Sequence, residues 1–113
     1  MAVHGNSRSP AATIARVEHA GRRAAAVVGD KLMLCRLRFQ PRVQTPVHSH
    51  THEQMTLVEK GSVRFTIAGT PRVAHTGDVL HFASGVEHGA IILDEEVVLI
   101  DIFTPIREEF LAR

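Results

Sequence analysis

Residues 48–67 run HSHTHEQMTLVEKGSVRFTI, and two patterns in that stretch decide what the chain can be. In the second half Val63, Phe65 and Ile67 are apolar against Ser62, Arg64 and Thr66. Side chains of an extended strand alternate between two faces, so this is the period of a strand with one face buried. Gly61-Ser62 ahead of it is a turn signal. In the first half histidines stand at 48, 50 and 52, and a glutamine at 54. If that part is extended as well, all four share one face and Glu53 points to the other. Two imidazoles one residue apart then present nitrogens to a single ion, with the carbonyl oxygen of Gln54 beside them. The same parity favours the neutral Gln54 over the carboxylate of Glu53, and a bulge near His52 would reverse that preference.

Outward from this stretch the rhythm persists. Turn signals fall at Gly29-Asp30, Pro41 to Pro46, Gly69-Thr70-Pro71, Gly77-Asp78, Ser84-Gly85, Asp94 to Glu96 and Thr104-Pro105. Between them Ala24–Val28, Leu32–Phe39, Met55–Glu59, Ser62–Ala68, Arg72–His75, Val79–Phe82, Gly89–Leu93 and Val97–Phe103 are strand-length and rich in β-branched and apolar residues. Many short strands at regular spacing predict an all-β sandwich or barrel with little helix. Helix is expected only over Ala11–Ala20, where Thr13 can cap, and as a turn over Ile106–Arg113.

Composition narrows the function classes. A chain of 113 residues holds one compact domain. Residues 1–20 are expected to be a loosely ordered N-terminal segment and 21–113 the domain itself. A formal charge of +1 gives no field that would select nucleic acid or an anionic membrane. No stretch approaches the roughly 20 apolar residues of a membrane span, and Met1 to Pro10 lacks the apolar segment of a secretory signal. Cys35 is the only cysteine, so no intrachain disulfide forms, which fits a reducing, cytoplasmic setting. Within a strand-like run it reads as a small buried hydrophobe. Of eight histidines, six lie between residues 48 and 88, and histidine is the commonest metal ligand. His52 shares parity with the candidate ligands and is expected near the pocket mouth, while His75 and His81 read as packing or surface residues.

At this point the residues resemble the cupins through both motifs of that family. The first appears as His48-x-His50, three residues, Gln54, six residues and Gly61; the second as Gly77, five residues, Ala83, Ser84, Gly85, two residues and His88. Three positions depart from the pattern: Arg42 and Ala83 replace a usual glycine and proline, and no asparagine follows the last histidine. The resemblance implies a single jelly-roll barrel holding one divalent metal with His48, His50, Gln54 and His88. Three imidazoles and an amide oxygen suit Zn, Ni, Mn, Fe or Co. A neutral glutamine leaves the ion's charge uncompensated, which favours Lewis-acid chemistry.

The last strand narrows the reading. Asp101 lies in an apolar run with Leu99 and Phe103 on its face, and a carboxylate there requires a partner or a use. One reading pairs it with backbone or with Arg36, Arg38 or Arg107; the other makes it a general base. Asp101-Ile-Phe103-Thr-Pro105-Ile-Arg107-Glu-Glu-Phe110-Leu111 is similar to the tail of one cupin branch, the KdgF group of pectin and alginate degradation proteins. That resemblance implies an enzyme turning cyclic 4,5-unsaturated monouronates into linear ketonised sugars, with Asp101, Phe103 and Arg107 at the substrate and a small anionic sugar as partner. Two rivals are a metal-dependent dioxygenase and a non-catalytic sugar- or effector-binding cupin. Strand faces such as that of Leu32–Phe39 are expected to support a homodimer.

Overall fold

A computed structural model describes residues 14–19 and 22–108, with side chains from residue 23 onward. Among the described residues ten strands follow one another: β1 Ile14–His19, β2 Arg22–Val28, β3 Met33–Phe39, β4 Gln44–His48, β5 Glu53–Lys60, β6 Ser62–Ile67, β7 Thr70–His75, β8 Val79–Phe82, β9 His88–Ile92 and β10 Val97–Thr104. They form a six-stranded sheet ordered β1-β2-β3-β10-β5-β8 and a four-stranded sheet ordered β4-β9-β6-β7, with every pairing antiparallel. From β3 onward the chain passes repeatedly between the sheets, which is the jelly-roll path.

The alternation read from sequence sets which faces meet. In β3 the pattern buries Met33, Cys35, Leu37 and Phe39 and turns Leu34, Arg36 and Arg38 outward. Val58, Phe82, Val97, Leu99 and Phe103 join them from the same sheet, and Val63, Phe65, Ala74, Ala90 and Ile92 close over them from the other. Along β5 the inward residues change from Gln54 and Thr56 to Val58. One end of the sandwich is therefore polar inside and the other is a dry core.

Several expectations change. Ile14–His19 is a strand paired along its length with β2, in register Ile14↔Val27 to His19↔Arg22, not part of a helix. A paired edge outweighs weak local propensity, and this hairpin straddles the boundary expected at residue 21. Of the expected C-terminal turn, Ile106 and Arg107 are irregular and Glu108 is 3₁₀; residues 109–113 lie outside the described residues. The Pro41–Pro46 loop holds β4. Between His88↔His48 and Ala90↔Thr45 the ladder shifts by one residue, and that bulge on an edge strand accommodates Pro46 despite its missing N–H.

The expected barrel is not closed. β7 ends the small sheet and β8 ends the large one, and they do not pair. Only Ala74 of β7 is buried, too little apolar surface to draw that strand over the core. A groove of about 410 Å³ lined by Ile67, Arg72, Ala74, Asp78, Leu80 and His81 follows the open seam. Arg42, at the family's glycine position, has φ 70°, so the left-handed turn persists without glycine.

Candidate metal centre

The three motif histidines come from different parts of the fold. His48 ends β4, His88 begins β9 directly opposite it, and His50 lies on the connection that crosses to β5. Residues 49–52 are not a strand, so shared parity along one extended run is not what gathers these rings. The crossing itself does so, pinned where Gly85 N–H donates to His50 O at 2.8 Å and Ser84 Oγ donates to Thr51 O at 2.7 Å. One ligand nitrogen from each of His48, His50 and His88 lies within 4.8 Å of the others. Their ring centroids are 4.6 to 5.6 Å apart.

Local hydrogen bonds fix the tautomers. Nδ1 of His48 sits 2.9 Å from Pro46 O, Nδ1 of His50 is 3.0 Å from His52 O, and Nδ1 of His88 is 3.1 Å from Val86 O. A carbonyl oxygen only accepts, so each Nδ1 carries the proton and each Nε2 offers a lone pair. Burial holds the His88 pKa down to about 4, against the hydrogen bond to Val86 and helped by the neighbouring His48, His50 and Arg107. His50 is lowered by burial and then by Arg107. Both rings are thus neutral at neutral pH, the state a metal requires.

Gln54 begins the inward face of β5 and is 6 % exposed. Its Oε1 lies 3.1 Å from His50 Nε2. With His50 donating through Nδ1, two acceptors face one another there, a conflict that a cation between them removes. The donor set therefore fits a divalent metal, and the three histidines are able to hold one. Glu53 points outward, as parity requires, and meets His81 Nε2 at 2.7 Å on the surface.

Asp101 and Phe103 face inward from β10, in register with Thr56 and Gln54. Asp101 Oδ1 accepts a 2.6 Å bond from the Thr56 hydroxyl, whose oxygen accepts from Gln54 Nε2 at 2.9 Å. Arg36 and Arg38, weighed as partners of Asp101, instead reach Glu59 and Glu96 on the outside. Phe103 is buried with its ring centroid 5.9 Å from that of His50. The Arg107 guanidinium lies over the Phe103 ring at 5.2 Å, close enough to His50 and His88 to depress both. Cys35 is buried opposite Asp101 in the ladder. His75 Nδ1 contacts Ser62 Oγ at 2.9 Å on the exterior. His52 stacks edge-on to His50, its Nδ1 buried without a hydrogen-bond partner among the described residues.

Sequence reasoning missed Thr56. Its parity with Gln54 was readable, but a threonine in a strand carries no signal of its own.

Comparison with known proteins agrees with this geometry. The model of the cupin domain matches residues 35–103. The pectin degradation protein KdgF of Dickeya dadantii (strain 3937) is 35% identical over 82 residues, 73% of this chain and 74% of that protein. Among solved structures, an RmlC-like cupin from Shewanella frigidimarina superposes with a TM-score of 0.79 at 28% identity, covering 86% of each chain. KdgF from a Halomonas species gives 0.80 at 25% identity, over 85% of this chain and 90% of that one.

Proposed function

Since the chain belongs to the cupin family and within it is related to the KdgF group, we propose that it is a metal-dependent enzyme converting a cyclic 4,5-unsaturated monouronate into its linear keto form. The observation carrying this reading is the meeting, at one end of the sandwich, of a three-histidine and glutamine donor set with a carboxylate, an aromatic wall and an arginine.

In this reading His48, His50, Gln54 and His88 hold the divalent metal, which when bound supplies Lewis-acid polarisation of a sugar oxygen. Arg107 pairs with the substrate carboxylate through its planar fork. Phe103 walls the pocket and limits water. Ring opening breaks the bond between ring oxygen and anomeric carbon, leaving an aldehyde and an enol. Asp101 moves the proton that leaves the enol oxygen while another reaches carbon, so substrate and product are isomers and no electrons are exchanged.

The test is to mix metal-loaded protein with unsaturated galacturonate and follow the ring alkene by NMR. Loss faster than in buffer, reduced by Asp101→Asn, is the expected result. No acceleration with metal bound overturns the catalytic reading. Unchanged sugar affinity in Asp101→Asn, with no product from the parent chain, identifies a binding module, and oxygen uptake a dioxygenase.

We place this activity in the cytoplasm, in keeping with the single buried thiol, and among the described residues no helix is long and apolar enough to cross a membrane. We also infer a homodimer through the outer face of the six-stranded sheet. Val27, Leu34, Ile102 and Met55 form one row across four strands, and Ala25, Ile100, Leu57 and Val79 lie along the next, which Arg36 interrupts. Val27 is 51 % exposed, Met55 48 % and Val79 65 %. At strand and row spacings of about 4.8 and 7 Å this apolar field covers on the order of 300 Å² in projection. A field of that size matches the largest apolar patches of typical monomers, about 300–600 Å², which often mark interaction sites. Its rim of Arg36, Glu59, Glu53 and His81 adds on the order of 130 Å², bringing the face to about half of the roughly 800 Å² per partner of a specific interface, the rest coming from the surrounding polar surface.

A further inference from the structure

An amide side chain binds a cation only through oxygen, because its nitrogen has no available lone pair, and a half-turn about the last torsion exchanges the two ends at little steric cost. Something must therefore decide which end of Gln54 faces the three histidines. His50 does not favour the oxygen. Its Nδ1 donates to His52 O, so its Nε2, 3.1 Å from Gln54 Oε1, is an acceptor and would prefer the amide NH₂. The opposing preference comes from the other side. Thr56 Oγ has one proton, and Asp101 Oδ1 takes it at 2.6 Å. What remains on that oxygen is a lone pair, 2.9 Å from Gln54 Nε2, and it accepts only the NH₂ end.

We infer that Thr56 is a positioning residue for the metal site: its hydroxyl, polarised by Asp101, locks the Gln54 amide with Oε1 toward His50 and so presents an oxygen to the cation. This rests on the metal-binding reading above and adds a residue that touches neither metal nor substrate. Without the hydroxyl the amide settles with its NH₂ on His50 Nε2, and metal binding must first break that bond. Thr56 is 1 % exposed, so no bulk water replaces the lost partner.

The test uses Thr56→Val, which keeps the branched shape and removes the hydroxyl. Affinity for Zn(II) or Co(II) is measured by competition with a chromophoric chelator, with the melting temperature of the metal-free protein as the check on folding. The variant is expected to bind about 10- to 100-fold more weakly, as for other losses of outer-shell support, while Thr56→Ser stays within a few-fold of the parent. A second arm places Thr56→Val in a Gln54→Glu background. A carboxylate has two equivalent oxygens and no wrong way round, so there the penalty should largely vanish. Equal affinity in Thr56→Val and the parent overturns the inference, as does a penalty undiminished in the Gln54→Glu background. If Thr56→Val does not fold, Thr56→Ala is read by the same criteria. A parent chain that binds no divalent metal overturns the metal reading itself, a different failure from a parent that binds and a variant that binds equally well.

Discussion

Gly61 closes the first histidine motif, yet its position assigns it to folding rather than to chemistry. It turns the chain from β5 to β6 with φ +97°, and a Cβ added there would stand 2.9 Å from Glu96 O and 2.9 Å from Val97 Cγ2. Neither neighbour can withdraw easily, since one is a backbone oxygen and Val97 is fully buried. Gly69 provides the control: φ is +81°, and a Cβ added there would meet nothing within 4 Å. For both residues alanine in the left-handed region costs about 1–2 kcal/mol, offset by about 0.4–1 kcal/mol from the stiffer unfolded chain. Gly69→Ala should therefore lose only about 0.5–1 kcal/mol. Gly61→Ala adds the collision, about 1–3 kcal/mol for overpacking a rigid site, for a total of about 2–4 kcal/mol. The chain has no Trp or Tyr, so unfolding in urea is best followed by far-ultraviolet circular dichroism at fixed protein concentration. At an m-value of about 1.5 kcal/mol per molar, the Gly61→Ala midpoint should fall about 1–2 M below that of Gly69→Ala. Equal losses would refute the reasoning, because they would show that the turn conformation alone matters and the close approach to Val97 does not.

Other outcomes follow from the same geometry. His88 has a folded pKa of about 4, below its ordinary value, so between pH 6.5 and 4 the unfolded chain binds the extra proton. Its contribution is full above pH 6.5 and falls as the pH drops, by roughly 2 kcal/mol after allowing for screening. Melting curves of metal-free protein should show that slope, and His88→Gln should have a shallower one, the remainder coming from His50, which is lowered by burial in the same direction. Met55→Glu or Leu34→Glu should shift the chain from dimer to monomer in sedimentation equilibrium, and a parent chain monomeric at tens of micromolar contradicts the sheet-face interface. Arg107→Lys keeps the charge and loses the fork, so KM for the uronate should rise about tenfold, and Arg107→Ala should raise it further. Arg42→Gly relieves the left-handed backbone at φ 70° and gives up only an exposed pair with Asp94. It should be neutral or stabilising by up to about 1 kcal/mol, and a clear loss would assign Arg42 a larger role.

The strands with clean alternation are legible in the sequence, because along β3 and over residues 62–65 of β6 the apolar residues are the buried ones; in β5 the inward face begins with polar Gln54 and Thr56 while Met55 and Leu57 face outward, which hydrophobic alternation does not announce. Two strands are not legible, for different reasons. Pro46 disguises β4, whose bulge is a tertiary accommodation, and Ile14–His19 is held by a partner strand that no local pattern announces. The gathering of His48, His50 and His88 is readable through their spacing, but a continuous strand from His48 to Gln54 is not the folded arrangement. Parity remains valid where the chain is a strand, at Glu53 and Gln54, and has no meaning across residues 49–52, where a crossing loop sets ring directions. The open seam between β7 and β8 is invisible in the sequence, since edge pairing depends on how much apolar surface a whole strand brings to the core.

This difference between local and long-range control runs through the site itself. Each histidine is oriented by a carbonyl two residues away, Pro46 for His48, His52 for His50 and Val86 for His88. Those bonds form within short segments and travel with them. Gln54 is oriented instead through Thr56 to Asp101, which is 45 residues beyond Thr56 in the chain and meets it only once β10 has paired with β5. The three nitrogens are thus locally prepared, whereas the oxygen is prepared only in the assembled sheet. Asp101 accordingly serves two ends: one oxygen holds the donor chain toward Gln54, and in the proposed mechanism the same carboxylate moves the proton. A substitution that preserves its shape but not its charge, Asp101→Asn, should therefore disturb metal affinity as well as proton transfer. Thr56→Val should disturb metal affinity first, and turnover only through it.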